Sequence, residues 1–241
     1  MKKNGSLILA ILMVTTVFAE GNKIPLIGSK APEFSTNTTN GKLSFPGDFG
    51  KSWKILFSHP ADFTPVCSTE LLELAYLQPE FDRLGLKVAV ISTDDVQMHV
   101  MWKNQLEELN YKDRGQQSIK FPLLEDKNGV ASKLYGMLHE PVSTNRDIRG
   151  VFIIDSENLV RSINFYPMQI GRNMTEIVRI VEALQTADKS QVLTPANWNE
   201  GDDVMVPHYP YTEQELADNP KLKDEYYSVG NRIWFKKTDN K

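Results

Sequence analysis

Three short stretches of this chain are apolar almost without a break: Trp53–Ser58 (WKILFS), Leu86–Ser92 (LKVAVIS) and Gly150–Asp155 (GVFIID). A strand with one wet face alternates apolar and polar residues, whereas a strand covered on both faces reads as one continuous run. Each stretch is too short for a buried helix, so strands are the assignment. Doubly covered strands demand a sheet between two other layers. The intervening segments supply those layers. Leu71, Leu74 and Ala75 share one face of a helix that opens near Ser68. A second helix, capped by Asp94 or Asp95, runs to about Leu109, with Glu107 and Glu108 on a solvated face. Strands alternating with helices give an α/β fold, a central mixed sheet flanked by helices.

The remaining segments fit that frame. Asn40-Gly41 is a hairpin signal between short strands. Pro79 kinks or restarts the first helix and Gly85 ends it. "IKFPLLED" reads as a strand that Pro122 confines to a short or edge position. A short helix covers Val130 to Met137. "LVRSINFY" (Leu159 to Tyr166) pairs with "GVFIID" across Ser156-Glu157-Asn158. Asn173 with Glu176 forms a capping box, and Ile177, Ile180, Val181 and Leu184 line one face of the helix behind it. Past Lys189 the pattern fades into a Pro-, Tyr- and Asp-rich tail. We read 23–187 as one domain and 188–241 as a C-terminal arm that docks on another surface.

The N-terminal "MKKNGSLILAILMVTTVFAEGNK" has Lys2 and Lys3, an apolar run from Leu7 to Phe18, and Ala19 before Glu20. This is the layout of a secretory signal peptide over 1–19, and the run is short for a membrane span. Secretion, or residence in a secretory-pathway lumen, is the expected localisation. Asn37 and Asn173 then stand in glycosylation sequons. The net charge of −4, with no basic stripe, argues against nucleic acid as a partner.

The chain has one cysteine, Cys67. No intrachain disulfide can form, so stability rests on the core. In an oxidising compartment such a thiol is either hidden or functional. Cys67 follows a buried strand and stands where a helix begins. Unpaired amides and the helix dipole at that place favour a thiolate, the nucleophilic form of sulfur. Pro65 suits the tight entry into the first turn, and Thr64 brings a hydroxyl three residues before the sulfur. On these features alone, a buried structural thiol and a reactive one are equally well supported.

The full pattern Pro60-x-x-x-Thr64-x-x-Cys67 resembles the active-site motif of the peroxiredoxins, thiol peroxidases on a thioredoxin-like fold. "RGVFIID", "YPMQIGRNMTEIVRIVEALQ" and "TPANWNEGDDVMV" carry the resemblance along the chain from about Lys23. His59 and the C-terminal stretch are most similar to the one-cysteine, or type six, branch, whose extended arm accounts for the tail. The resemblance implies Cys67 as the peroxidatic nucleophile, Thr64 as the hydroxyl that holds the peroxide and Pro60 as a shield against water. It implies Arg149 as the guanidinium that stabilises the thiolate and the departing oxygen, with Glu70 in the first helical turn orienting it. His59 either tunes Cys67 or packs behind it. The implied function is reduction of hydrogen peroxide and small organic hydroperoxides in antioxidant defence and redox homeostasis. With no second cysteine, an external thiol, glutathione or a thioredoxin-like protein, must restore Cys67. A homodimer with the arm at its interface is the implied assembly. A holdase or signalling protein that kept the fold and lost turnover is the competing reading, which the intact Pro60, Thr64, Cys67 and Arg149 set disfavours.

No cofactor or metal is expected, since His99, His139 and His208 lie far apart without ligand spacing. "GDFGKSW" fails as a phosphate loop because Phe45 stands where its first glycine belongs. Trp53 and Trp102 read as core. Some type six members are credited with a phospholipase that uses His, Ser and Asp. Here Ser52 matches the serine, but Pro46 and Glu157 occupy the other places, so no lipase activity is expected.

Overall fold

The computed structural model describes residues 24–230 and 232–238. Strands β1 (Phe34–Thr38) and β2 (Gly41–Phe45) form the hairpin around Thr39-Asn40. β3 (Trp53–Ser58) leads through a loop into α1 (Pro65–Tyr76) and α2 (Gln78–Arg83), then β4 (Leu86–Ser92) and α3 (Val96–Glu107). β5 (Leu123–Glu125), α4 (Val130–Leu134), the hairpin β6 (Arg149–Ile154) and β7 (Val160–Tyr166), and α5 (Met174–Ser190) complete the main body. The sheet order is β2-β1-β5-β4-β3-β6-β7, with β3, β4 and β5 mutually parallel and the other pairings antiparallel.

The continuous apolar runs are explained by two cores, one on each face. Ile55 and Phe57 of β3, Val88 and Val90 of β4, and Val151 and Ile153 of β6 pack with α1, α3 and α5. Leu56, Ala89, Ile91, Phe152 and Ile154, at the alternate positions, pack with Phe45 and Tyr135 on the opposite face. Strand alternation therefore sends every second apolar residue to a different layer. Trp102 is buried in the first core, and Trp53 packs at its margin.

Several boundaries differ from the sequence reading. α1 begins at Pro65 rather than Ser68, because proline suits the first helical position, where no amide hydrogen is needed. β5 is short but interior, lying between β1 and β4. Pro122 precedes the strand and supplies only its carbonyl, to Val90 N–H. α4 ends at Leu134, short of Met137. Asp95 caps α3 through Met98 N–H, and Glu107 is tied to Ile119 N–H rather than free in solvent. Asn173 caps α5, but Glu176 bonds Arg179 in place of the reciprocal capping-box contact.

The tail is more ordered than its composition suggests. β8 (Val204–Val206), α6 (Glu213–Asp218), β9 (Tyr226–Val229) and β10 (Ile233–Lys236) build a three-stranded antiparallel sheet, β8-β10-β9, plus one capped helix. Val192, Trp198 and Val204 pack against Ala183 of α5. The signal-peptide segment 1–19 lies outside the described residues.

Candidate active site

β3 ends at Ser58, and residues 59–64 carry the chain from the sheet to α1. His59 N–H still bonds Ile91 O, so the loop starts as an extension of the β3–β4 ladder. Phe63 then takes a left-handed backbone, φ 56°, an uncommon conformation for a bulky residue. Thr64 is the N-cap, but its hydroxyl donates to Ala61 O at 3.0 Å and makes no cap to the helix. Pro65 has no amide hydrogen, so the amides of Val66 and Cys67 remain as the uncapped positive end of α1. Cys67 sits in that turn, fully buried.

Arg149, the first residue of β6, reaches the same point from the neighbouring strand. Its Nη1 donates to Cys67 Sγ at 3.3 Å and to Glu70 Oε2 at 2.6 Å. Its Nε and Nη2 both donate to Met168 O, at 3.0 and 2.6 Å. Glu70 is in the second turn of α1, not the first, because the helix starts at Pro65. The structure therefore brings Arg149 into direct contact with both Cys67 and Glu70. It places Pro60 buried in the loop and turns His59 toward Asp62, at 2.9 Å.

Arg172 is the contributor that sequence reasoning missed. Fully buried just before α5, it donates through Nε and Nη2 to Glu70 at 2.9 and 2.7 Å and through Nη1 to Ser58 O and Gly150 O. Its guanidinium lies 3.3 Å over the Phe57 ring. Burial alone would raise the Glu70 carboxyl, but hydrogen bonds and charge from Arg172, then Arg149, hold it below the usual carboxylate range. Burial pulls Arg172 down against the same attraction, yet a guanidinium stays charged. Two cations around one carboxylate leave a net positive charge beside the sulfur. Gly150 makes room for this network: a Cβ there would stand 2.9 Å from Ser58 Oγ and 3.1 Å from the Phe152 ring.

Two residues before Arg149, Asp147 is fully buried, and among the described residues neither carboxyl oxygen has a partner at hydrogen-bond distance. The Ser132 hydroxyl donates to Asp126 instead, at 2.6 Å. Burial pushes the Asp147 carboxyl up to about 7; the nearby Ser132 hydroxyl offsets this only in part, and the Asp126 and Asp94 charges add to it. A folded value above the unfolded one means the native state binds the extra proton, so this group's contribution to stability falls as pH rises from about 4 to about 7. Asp147→Asn is expected to gain stability relative to wild type across that window, by about 4 kcal/mol between its two ends. Urea unfolding at both ends of the window checks this; equal stabilisation at each end would contradict it.

Comparison with known proteins bears on what the arrangement does. Residues 27–163 match the model of the AhpC/TSA family, and residues 183–219 match the C-terminal domain of 1-Cys peroxiredoxin. The chain belongs to the peroxiredoxin family. A peroxiredoxin of Methanosarcina mazei is 47% identical over 203 residues, covering 84% of this chain and 92% of its own. One from Treponema denticola is 42% identical over 207 residues, covering 84% and 96%. Among solved structures, a yeast mitochondrial 1-Cys peroxiredoxin superposes with a TM-score of 0.77 at 36% identity, covering 89% of this chain and all of its own. A cysteine-to-serine mutant of peroxiredoxin 6 from Arenicola marina gives 0.75 at 29% identity, covering 89% and 99%. As a peroxiredoxin the chain is a thiol peroxidase, an oxidoreductase, and its single cysteine fits the 1-Cys type.

Proposed function

We propose that the protein reduces hydrogen peroxide and small organic hydroperoxides at Cys67 and is regenerated by an external thiol. The contact that carries this reading is Arg149 Nη1 on Cys67 Sγ at 3.3 Å. The thiolate attacks the terminal oxygen of R–O–O–H. The O–O bond breaks, Cys67 becomes sulfenic acid, and RO⁻ leaves and takes a proton to become ROH. Arg149 is placed to neutralise the charge as it passes from sulfur to the departing oxygen. Thr64 and Pro60 shape the approach, the hydroxyl as the peroxide's hydrogen-bond partner and the ring as a cover. The depth of the sulfur favours small peroxides.

Restoration needs two thiols: the first condenses with the sulfenic acid, releasing water and leaving a mixed disulfide, and the second displaces Cys67 as a thiol. Glutathione or a thioredoxin-like protein supplies them, in keeping with the glutathione/thioredoxin systems named for the yeast mitochondrial neighbour. Secretion through the signal at 1–19, and a homodimer formed through the arm, complete the proposal. Peroxide consumption with dithiothreitol tests it: wild type turns over and Cys67→Ser does not. Equal consumption by the variant overturns it. Because no second cysteine can trap the sulfenic acid, excess peroxide without reductant is expected to carry Cys67 on to sulfinic acid. Intact-mass spectra showing no second oxygen at Cys67 would contradict that.

A further inference from the structure

His99 on α3 is fully buried and has both ring nitrogens engaged. Nδ1 lies 2.8 Å from Asp62 Oδ2 and Nε2 3.0 Å from Leu124 O of β5. A carbonyl oxygen and an ionised carboxylate can only accept, so both nitrogens of this ring must donate. A ring that donates twice is an imidazolium. The same count gives His59 the opposite state. Its Nε2 faces Asp62 Oδ1 at 2.9 Å, while its buried Nδ1 has no partner among the described residues. A proton on that Nδ1 would be a buried donor with nothing to receive it, so Nδ1 carries a bare lone pair and Nε2 carries the hydrogen.

We propose that His99 is a positioning residue for the peroxidase reaction: a buried cation that keeps Asp62 ionised, fixes His59 in its Nε2–H form, and thereby clamps the loop bearing Pro60 and Thr64. This rests on the peroxidase reading of Cys67. The three groups respond to their surroundings consistently with it. Burial lowers both histidines, but Asp62 outweighs it at His99, which ends above the ordinary value, whereas burial prevails at His59. Burial would raise Asp62, and the bonds from the two rings hold it down.

The clamp has further points. Asp62 N–H donates to Asp94 Oδ2 at 2.8 Å, and that oxygen also receives the Ser92 hydroxyl. Trp102, nearly one turn after His99, donates Nε1 to Ser68 Oγ at 3.2 Å. Its ring packs 5.1 Å from His59 and 6.4 Å from Phe63. α3 thus grips the loop before Thr64, through Asp62, and the helix just after Cys67, through Ser68. The left-handed Phe63 between those grips needs such support, since that conformation costs about 1–2 kcal/mol. His59, Asp62 and Asp94 also bring ligand atoms within 4.8 Å of one another, but both Asp62 oxygens and Asp94 Oδ2 are already committed to these bonds.

The test is histidine-labelled ¹⁵N NMR on the full chain, joined to kinetics. At neutral pH, wild type is expected to show both His99 nitrogens protonated and His59 protonated at Nε2 alone. His99→Gln retains a donor but not the charge. It is expected to blur the His59 tautomer signature and to lower kcat/KM for peroxide about ten- to hundredfold, the scale of a displaced positioning group. Because the two act as one unit, His99→Gln with Asp62→Asn is expected to lose little more than either alone. A neutral His99 in wild type overturns the proposal without any variant having to fold. So does wild-type kinetics in His99→Gln with an unchanged His59. The tautomer readout is independent of turnover, so it stands apart from a failure of the peroxidase reading itself.

Discussion

Arg149→Lys is expected to lower the peroxidase kcat/KM by about a hundred- to a thousandfold, the usual cost of losing a preorganised donor at developing charge. The reason is geometric. The planar guanidinium reaches three acceptors: Cys67 Sγ, Glu70 Oε2 and Met168 O. An ammonium on a flexible stem cannot hold that fork, although its charge is the same. Glu70 keeps its bonds to Arg172, so the fold is expected to survive with a small change in thermal midpoint. Steady-state kinetics beside a melting curve checks this. Equal losses of stability and rate would mean that Arg149 is structural only.

Glu70→Leu is expected to do the reverse, destabilising the whole protein by about 3–5 kcal/mol, because it leaves two buried guanidiniums without their shared carboxylate. The effect is pH-dependent with a definite sign. Glu70 is held below its unfolded value, so its stabilisation is fully present above the ordinary carboxylate range and is lost as pH falls through the folded value. Chemical unfolding of wild type and Glu70→Leu is expected to give a wide gap at neutral pH and a narrow one in acid. A gap that stays constant would show that Glu70 stabilises by packing and not by charge.

The sheet was legible in the sequence because strands covered on both faces cannot alternate, and β3, β4 and β6 therefore stand out as runs. The residue that breaks the pattern was harder. Pro122 marked its strand as short or at an edge; the strand is short yet interior, and Pro122 stands just before it and needs only its carbonyl there. Cys67, Thr64, Pro60 and Arg149 were legible as a motif and a strand start. Arg172 and His99 were not, because a buried charge is defined by its partners. Glu70 lies 102 positions from Arg172 and Asp62 lies 37 from His99, so no local spacing announces either pair. The arm's strands were hidden for another reason: each is three or four residues long and half exposed, too short for a period to register.

Cys67 Sγ, seated in the first turn of α1 beside Arg149, is proposed as the atom that takes the oxygen. Rapid-quench mass spectrometry of reduced protein mixed with one equivalent of hydrogen peroxide and a sulfenic-acid trap measures it directly. One trapped adduct per chain is expected, on Cys67, formed as fast as peroxide disappears and greatly slowed in Arg149→Lys. Peroxide lost while Cys67 stays unmodified, or an adduct forming equally fast without the guanidinium, would contradict it.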